Sequence, residues 1–105
     1  MEKPNLNYIQ TVAAGDKIFE KDMISVLKKE FPLEVETYKK ALSKKNLKET
    51  AEIVHKIKHK ISILGLEKSY KIANEFEHNL RELSFRKKEE FEKILIAITA
   101  YIETI

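Results

Sequence analysis

Apolar residues recur every three or four positions along most of this chain, and that period predicts α-helices rather than strands. A short first helix is expected over Asn7 to Ala13, and Asp16 is expected to cap a second one. The apolar stripe of the second helix consists of Ile18, Phe19, Met23, Val26, Leu27 and Phe31. Pro32 has no N–H group, so it should stop or kink this helix before the pattern resumes as far as Leu42.

The same period continues through the second half of the chain. Asn46 is expected to cap a third helix, with Glu49 at the position that completes a capping box. The core positions of this helix are Leu47, Thr50 or Ala51, Val54, Ile57, Ile61 and Leu64. Gly65 should end it or let it pass close to a neighbour. A further helix follows from Glu67, and Ser84 is expected to cap the last one.

Together these elements predict an all-α fold, an antiparallel up-down-up-down four-helix bundle with a short extra N-terminal helix. A chain of 105 residues is the size of one compact domain, so residues 1–105 are expected to form a single unit. The sequence holds only 2 glycines and 2 prolines, which argues against an all-β fold because its many turns depend on those residues.

Composition and charge exclude several classes of function. The absence of cysteine excludes a disulfide framework, a thiol nucleophile and cysteine metal ligands, and it suits a reducing cytoplasm. The charges are interspersed with a net value of +3, and only Arg81 and Arg86 are arginines, so a nucleic-acid partner is not expected. The longest apolar run, Ile94 to Ile98, is too short to span a membrane, and no signal peptide is evident. We expect a cytoplasmic protein, most simply a monomer.

The stretch HKIKHKISILG, from His55 to Gly65, carries the candidate chemistry. Since each residue turns a helix by roughly 100°, His55 is placed at the edge of the buried face. Lys58 then lies beside it on the adjoining turn, and His59 lies one turn below. The other neighbours on this part of the helix are Glu52 one turn above, Ser62, and Ile63, an apolar residue expected on the outer face.

A histidine in this position suits phosphoryl acceptance. Neutral imidazole is a good nitrogen nucleophile near neutral pH, because histidine titrates at about pH 6.5. A phosphoryl group on His55 needs its charge balanced, and the ammonium group of Lys58 one turn away can do that. Phosphoryl transfer depends mostly on positioning and charge stabilisation, so one nucleophile and one cation suffice if a partner brings the metal.

The run AEIVHKIKHKISILGLEKSYKIANEFE, residues 51–77, resembles the signature of histidine-containing phosphotransfer (HPt) domains. That family's motif is a histidine, a lysine three residues later, usually a glycine at the fourth residue, and a glycine at the tenth. Here these positions hold His55, Lys58, His59 in place of glycine, and Gly65, followed by the apolar-Glu pair Phe76-Glu77. AAGDKIFEKDMISVLKKEFP and KKALSKKNLKETAEIVHK are similar to the helices that precede the motif in the family.

The resemblance implies a phosphorelay carrier. His55 would accept a phosphoryl group from a receiver-domain aspartate and pass it to another receiver, in a pathway that includes a hybrid sensor histidine kinase. Lys58 would stabilise the phosphoryl charge and Gly65 would allow tight packing. The receivers would supply Mg²⁺, so this chain would be a covalent carrier with no cofactor of its own and not a self-sufficient enzyme. Docking would use Tyr8, Ile9 and Val12 of the first helix, together with Ile63.

Other interpretations of the same residues stay open. His55 and His59 could grip a metal ion, with Glu52 and His78 as the nearest further ligands by sequence, but no metal site is expected because a zinc site needs more ligands than the pair supplies. A helical interaction module without chemistry would use the same apolar rim and would not depend on His55. A basic nucleic-acid binder is a weaker alternative, since it predicts a steep loss of binding with salt and a less mixed charge pattern.

Overall fold

The protein is described here by a computed structural model that covers residues 2–105. Over those residues it contains five α-helices and no strand. The helices are α1 (Asn7–Ala13), α2 (Lys17–Ser43), α3 (Leu47–Ile63), α4 (Glu67–Arg81) and α5 (Lys88–Ile102). The predicted all-α class is therefore confirmed for this part of the chain. Met1, the first residue of the expected domain range, lies outside the described residues.

Side-chain caps define where α2 and α3 begin, as the sequence predicts. The Asp16 carboxylate accepts hydrogen bonds from the backbone N–H groups of Ile18 and Phe19, at 3.1 and 3.0 Å. The Asn46 side chain accepts one from the N–H of Glu49, at 3.1 Å. Each cap satisfies donors that have no partner within the helix.

Pro32 neither ends nor interrupts α2, which runs unbroken for 27 residues. The expected stop at this position was wrong. Pro32 is exposed, so the helix carbonyl that it leaves without an N–H partner faces the side where water can bind it. Phe31 and Tyr38 lie on a different face of the helix and are fully buried, and their packing holds both halves of the helix on one core.

The four longer helices surround one core. Helix α2 packs against α3 and α5, α4 packs against α3 and α5, and the short α1 packs against α2. An aromatic cluster joins three of these helices, with the ring centroid of Tyr38 6.3 Å from Phe76 and 5.3 Å from Phe91. The Tyr38 hydroxyl donates a hydrogen bond to a Glu92 carboxylate oxygen at 2.9 Å, so the one polar atom of the cluster is satisfied.

The beginning of α2 is less buried than its apolar stripe predicts. Ile18, Phe19 and Val26 are all exposed, whereas Leu27 and Phe31 further along are buried. Near the end of α3, Lys60 bonds to Glu30 and Glu34 in the middle of α2, so the first turns of α2 extend beyond the end of α3. Those turns therefore carry apolar side chains that α3 covers only in part.

Helix α5 begins at Lys88, four residues after the cap that the sequence predicts. Ser84 belongs instead to the loop, where its hydroxyl oxygen accepts a hydrogen bond from the N–H of Arg86 at 3.3 Å. A serine that bonds to the backbone two residues later stabilises a turn rather than a helix start. The cap position is taken by Lys87, which has a left-handed backbone with φ of 77°.

The N-terminal segment forms hydrogen bonds with the turn between α3 and α4 and with the first turn of α4. The N–H of Asn5 donates to the carbonyl of Leu64 at 2.9 Å. The Glu2 carboxylate accepts from the N–H groups of Lys68 and Ser69, at 2.7 and 3.0 Å. Because Leu66 gives α4 no side-chain cap, Glu2 supplies one from a distant part of the sequence.

Replacement of Gly65 by alanine is expected to destabilise the fold more than the same change at Gly15. Both glycines have a left-handed backbone, φ +74° and φ +89°, which costs an alanine roughly 1–2 kcal/mol. A Cβ at Gly65 would also lie 2.7 Å from the Asn5 side-chain nitrogen, whereas one at Gly15 meets nothing within 4 Å. Urea unfolding of both variants checks this, and equal losses of unfolding free energy would show that the Asn5 contact contributes nothing.

Candidate functional site

His55 lies in the middle of α3 with its side chain half exposed, at 50% of the fully accessible area. Its Nδ1 atom faces the Glu77 carboxylate on α4, at 3.1 and 3.2 Å from the two oxygens. One edge of the imidazole ring is thus held by a buried partner. The other edge, which carries Nε2, is left for contact with groups outside the core.

Glu77 is the centre of a charged network that joins α3 to α4. The ammonium group of Lys58 lies 3.0 Å from its Oε1, and the guanidinium of Arg81 donates to its Oε2 at 3.0 and 3.3 Å. Burial by itself raises the pKa of the Glu77 carboxyl, but hydrogen bonds from Lys58, Arg81 and His55 outweigh it and hold the pKa below its ordinary value. Glu77 is therefore a carboxylate at neutral pH.

A carboxylate at Nδ1 decides where the imidazole proton sits. An ionised carboxylate can only accept hydrogen bonds, so the neutral imidazole of His55 must carry its proton on Nδ1 to make this contact. The lone pair is then on Nε2, the outward-facing nitrogen. The arrangement therefore orients the ring and presents Nε2 as the available nucleophile or ligand.

His59 stands one turn along α3 and contacts His55. The two Nε2 atoms are 3.4 Å apart, and the rings meet edge to face with centroids 5.0 Å apart. Both histidines are exposed, as the helical spacing predicts. The residue that replaces the usual glycine of the motif thus lies against the outward nitrogen of His55.

Lys58 is buried, whereas the helical spacing placed it only beside His55 on the adjoining turn. It is only 7% exposed, and its ammonium group bonds to Glu77 and to the Asn74 side-chain oxygen at 3.0 Å. It also lies 5.5 Å from the ring centroid of Tyr70, within range of a cation–π interaction. Lys58 therefore orients Glu77 in this conformation and reaches His55 only through that carboxylate. Its role towards a phosphoryl group stays a prediction.

The other predicted site residues divide into exposed and buried sets. Glu52 and Ser62 are exposed on α3, which leaves them accessible beside the histidines. Gly65 lies beyond the end of α3, against Asn5 rather than beside His55. On α1, Ile9 is 0% exposed and cannot contact a partner, so its place in the docking surface was wrong.

The remaining predicted docking residues are accessible to different degrees. Tyr8 and Val12 are exposed on α1. Ile63 is half buried, because it packs towards α2 instead of pointing to the outer face as expected. There it helps to line a cleft of about 410 Å³. The apolar residues that share this cleft with it are Phe19, Met23, Val26 and Leu27.

Ile63, which lines this apolar cleft, lies one helical turn from His59 on α3. His55, His59 and Ile63 follow each other at four-residue intervals and so lie along one stripe of α3. The helical period placed Phe19 and Val26 in the core, but both are exposed at the cleft. The site therefore combines a polar centre with a patch of apolar surface alongside it, the arrangement found in many protein-binding surfaces.

Glu77 is the residue of the candidate site to which the sequence alone gave no role, although the chain contains a signal for its position. The buried residues of α4 are Ala73, Phe76, Glu77 and Leu80, so this glutamate occupies a position on the apolar stripe. On α3, Lys58 likewise lies among buried Val54, Ile57 and Ile61. A charged residue on an apolar stripe requires a buried partner of opposite sign.

No family model, curated protein or solved structure matches the chain. Among residues 2–105, no three histidine, cysteine, aspartate or glutamate side chains come together as a metal-binding group. Within the same part of the chain, no helix combines the length and the apolar character needed to cross a membrane.

Proposed function

We propose that this protein is a phosphorelay carrier of the HPt type. His55 accepts a phosphoryl group from an aspartyl phosphate on one response-regulator receiver domain and donates it to an aspartate on another. The observation that carries the proposal is the half-exposed His55 ring, with Nδ1 held by the Glu77 carboxylate and Nε2 directed outward. The motif spacing of His55, Lys58 and Gly65 supports it independently.

The proposal includes an up-down-up-down arrangement of α2, α3, α4 and α5 in an antiparallel bundle. The cycle of contacts in which each of these helices packs against two others supports it. Two short connections, Lys44–Asn46 and Leu64–Leu66, also favour antiparallel neighbours. In such a bundle α3 faces both α2 and α4, which accounts for a histidine with a carboxylate on one side and an apolar cleft on the other.

The transfer step uses the groups that the site presents. The Nε2 lone pair of neutral His55 attacks phosphorus, the Nε2–P bond forms, and the bond from phosphorus to the aspartyl oxygen breaks. The leaving group is an aspartate carboxylate, and Nδ1 keeps its proton. The ring then carries positive charge, which the Glu77 carboxylate stabilises through the Nδ1–H hydrogen bond. Transfer to the second receiver reverses these bonds.

The partners supply what this chain lacks. The resemblance to HPt domains implies that receiver domains bring Mg²⁺ and the acidic pocket, while a hybrid sensor histidine kinase starts the relay in the cytoplasm. This chain is then a monomeric carrier that binds no nucleic acid and is not itself an enzyme. Lysines around His55 favour association with an acidic receiver pocket, mainly through the rate of encounter.

We place the docking surface on the apolar cleft beside the histidine stripe, extended by Tyr8 and Val12. Phe19 and Val26 are exposed apolar side chains at this cleft, and Ile63 forms its border on the α3 side. A receiver domain seated there would place its aspartate near Nε2 of His55. Burial of these side chains on binding would supply the apolar part of the affinity.

A Phe19→Glu variant is expected to slow phosphoryl transfer from a receiver domain by about tenfold or more at subsaturating receiver concentration, because a charge in the apolar centre of an interface is poorly tolerated. The assay uses a panel of receiver domains labelled with acetyl phosphate and Mg²⁺ and then freed of excess donor. Acid-labile label on this protein is followed with time. Circular dichroism confirms that each variant is folded.

Ile96→Glu is the matched control. Ile96 is 70% exposed on α5 and does not line the apolar cleft, so the same charge is introduced at an apolar surface residue outside the proposed docking surface. Its transfer rate should equal that of the wild type. Equal slowing by the two variants would contradict the proposed docking surface. If no receiver tested gave acid-labile label on this protein, the proposed function would be contradicted.

A further inference from the structure

We propose that His55 and His59 also form a two-point site for a divalent transition-metal ion of the Zn²⁺ class, bound through both Nε2 atoms. The metal site itself does not depend on the phosphorelay. Its consequence for regulation rests on the proposed function, because Zn²⁺ and the phosphoryl group would compete for the same nitrogen of His55. The sequence alone predicted no metal for want of ligands, and the side-chain geometry is the new observation.

The distance between the two nitrogens fits one metal ion. Zinc binds imidazole nitrogen at about 2.0–2.1 Å in tetrahedral geometry, which places two such ligands about 3.4 Å apart. The Nε2 atoms of His55 and His59 are 3.4 Å apart before any ion is present. An ion could thus enter with little movement of either ring, and both side chains are exposed to the solvent from which it would come.

The surroundings of His55 match those of metal-binding histidines. Such histidines usually donate their second ring N–H to a carboxylate or a carbonyl, which fixes the tautomer and increases the basicity of the ligating nitrogen. Glu77 makes this contact with Nδ1 at 3.1 Å, and Lys58 and Arg81 hold Glu77 in place. The lone pair on Nε2 is therefore oriented before the metal arrives.

The site has two protein ligands and leaves the remaining coordination positions to water. The part of the chain from residue 2 onwards offers no third histidine, cysteine, aspartate or glutamate as part of a common group. A metal held by two ligands exchanges readily, in contrast to closed structural zinc sites. This suits reversible inhibition of the carrier rather than support of its fold.

Isothermal titration of the wild-type chain with ZnCl₂, in a metal-free and non-coordinating buffer, tests the site directly. We expect one ion per chain. His55→Ala and His59→Ala should each weaken binding by about tenfold or more, because either change removes one point of a two-point attachment. His78→Ala is the control, since His78 lies on α4 beside Glu82 and should leave the affinity unchanged. Proton NMR should show that zinc shifts the ring signals of His55 and His59 first.

Some results of this titration would overturn the metal site. These are no saturable binding, an affinity that does not fall in His55→Ala and His59→Ala, or an equal loss of affinity in His78→Ala. None of them involves a phosphoryl donor, so the titration tests the metal site independently of the phosphorelay. Absence of phosphorylation in a separate assay would remove the proposed function and leave the metal result standing.

Competition is tested with phosphoramidate, a small donor that needs no metal. At zinc concentrations ten times its dissociation constant, wild-type labelling should fall by about tenfold, following simple mass action. His59→Ala keeps the nucleophile but binds zinc at least tenfold more weakly, so at the same zinc concentration its labelling should fall by no more than about twofold. Unchanged wild-type labelling with zinc bound, or equal inhibition of both proteins, would overturn the competition.

Discussion

A His55→Gln variant is expected to accept no phosphoryl group from any receiver domain, whereas the wild type acquires an acid-labile adduct. Glutamine preserves a polar, half-exposed side chain on α3 but has no nucleophilic ring nitrogen. The Glu77 carboxylate would keep its contacts with Lys58 and Arg81, so the fold should lose little stability. Intact-mass measurement after exposure to a phosphorylated receiver and Mg²⁺ follows the adduct, and brief acid treatment identifies it as a phosphoramidate.

Two further histidine variants determine which ring reacts. His78→Gln should be labelled like the wild type, because His78 pairs with Glu82 on the surface of α4. His59→Gln should also retain the adduct, since the ring without a carboxylate at its Nδ1 is not the proposed nucleophile. If His59→Gln lost the adduct and His55→Gln retained it, the phosphorylated residue would be His59, and the proposed mechanism would be refuted.

His59→Gly distinguishes two effects of the residue at the usual glycine position. If the ring obstructs the receiver, its removal should speed transfer. If the ring hydrogen-bonds the phosphoryl oxygens, its removal should shorten the lifetime of the phosphohistidine instead. The 3.4 Å approach of His59 to Nε2 of His55 is compatible with both effects, so rate and lifetime must be measured together.

A His55→Gln protein that still performs its cellular role would favour the alternative of an interaction module without chemistry.

The period of the apolar residues was enough to predict the helices and two of their caps, because both are local properties. The carboxylate of Asp16 and the side chain of Asn46 bond within three residues of themselves, and such contacts can be inferred from sequence. Pro32 was misjudged because its effect depends on which side of α2 it faces. That side is determined by the packing of Phe31 and Tyr38, which is tertiary information.

The exposed positions of Phe19 and Val26 have a similar cause. Helical periodicity assigns a residue to the apolar side of its helix, but it does not show whether another helix extends far enough to cover it. The shorter α3 covers the first turns of α2 only in part, so part of the apolar stripe lines the cleft. Cover of this kind depends on relative helix lengths and on register across the bundle.

For the candidate site, the sequence predicted the exposed histidines but not the burial of Lys58. Spacing along α3 correctly placed His55 and His59 on neighbouring turns. It could not show that Lys58 turns inward, because that depends on Glu77 approaching from α4, nineteen positions further along the chain. The two charged residues on facing apolar stripes were the available signal, since each is costly to bury without the other.

A Glu77→Gln variant is expected to lose stability and phosphoryl acceptance together. Lys58 is buried, and without the carboxylate its ammonium group keeps only neutral partners, which should lower the free energy of unfolding by about 1.5–3 kcal/mol at neutral pH. Glutamine also gives no ionic support to the positive ring that forms on phosphorylation. We expect the transfer rate to fall by about a hundredfold, the lower end of the range for removal of one group that stabilises charge in the transition state.

The pH dependence of stability tests whether the loss of stability in Glu77→Gln comes from the missing charge. The pKa of Glu77 is lower in the folded protein than its ordinary value, so its stabilisation is fully present above the pKa of an unfolded glutamate, about 4.3. That stabilisation disappears as the pH falls through the lower folded-state pKa. Urea unfolding of the wild type and Glu77→Gln should therefore differ at neutral pH and converge in acid. A constant difference down to acidic pH would attribute the loss to packing instead.

A double variant separates the charge pair from the rest of the network. Lys58→Met alone leaves the Glu77 carboxylate with one cation fewer, and Glu77→Leu alone leaves the ammonium group of Lys58 buried without an ionic partner. When both partners are replaced by apolar residues of similar size, no buried charge remains, so the double variant should be more stable than the sum of the single losses predicts.

In this double variant His55 would still be exposed but would have lost the carboxylate at Nδ1. We therefore expect a stable protein that accepts phosphoryl groups slowly. That result would show that Glu77 and Lys58 orient His55 in addition to stabilising the fold. Wild-type transfer rates in that protein would limit Glu77 and Lys58 to stability alone.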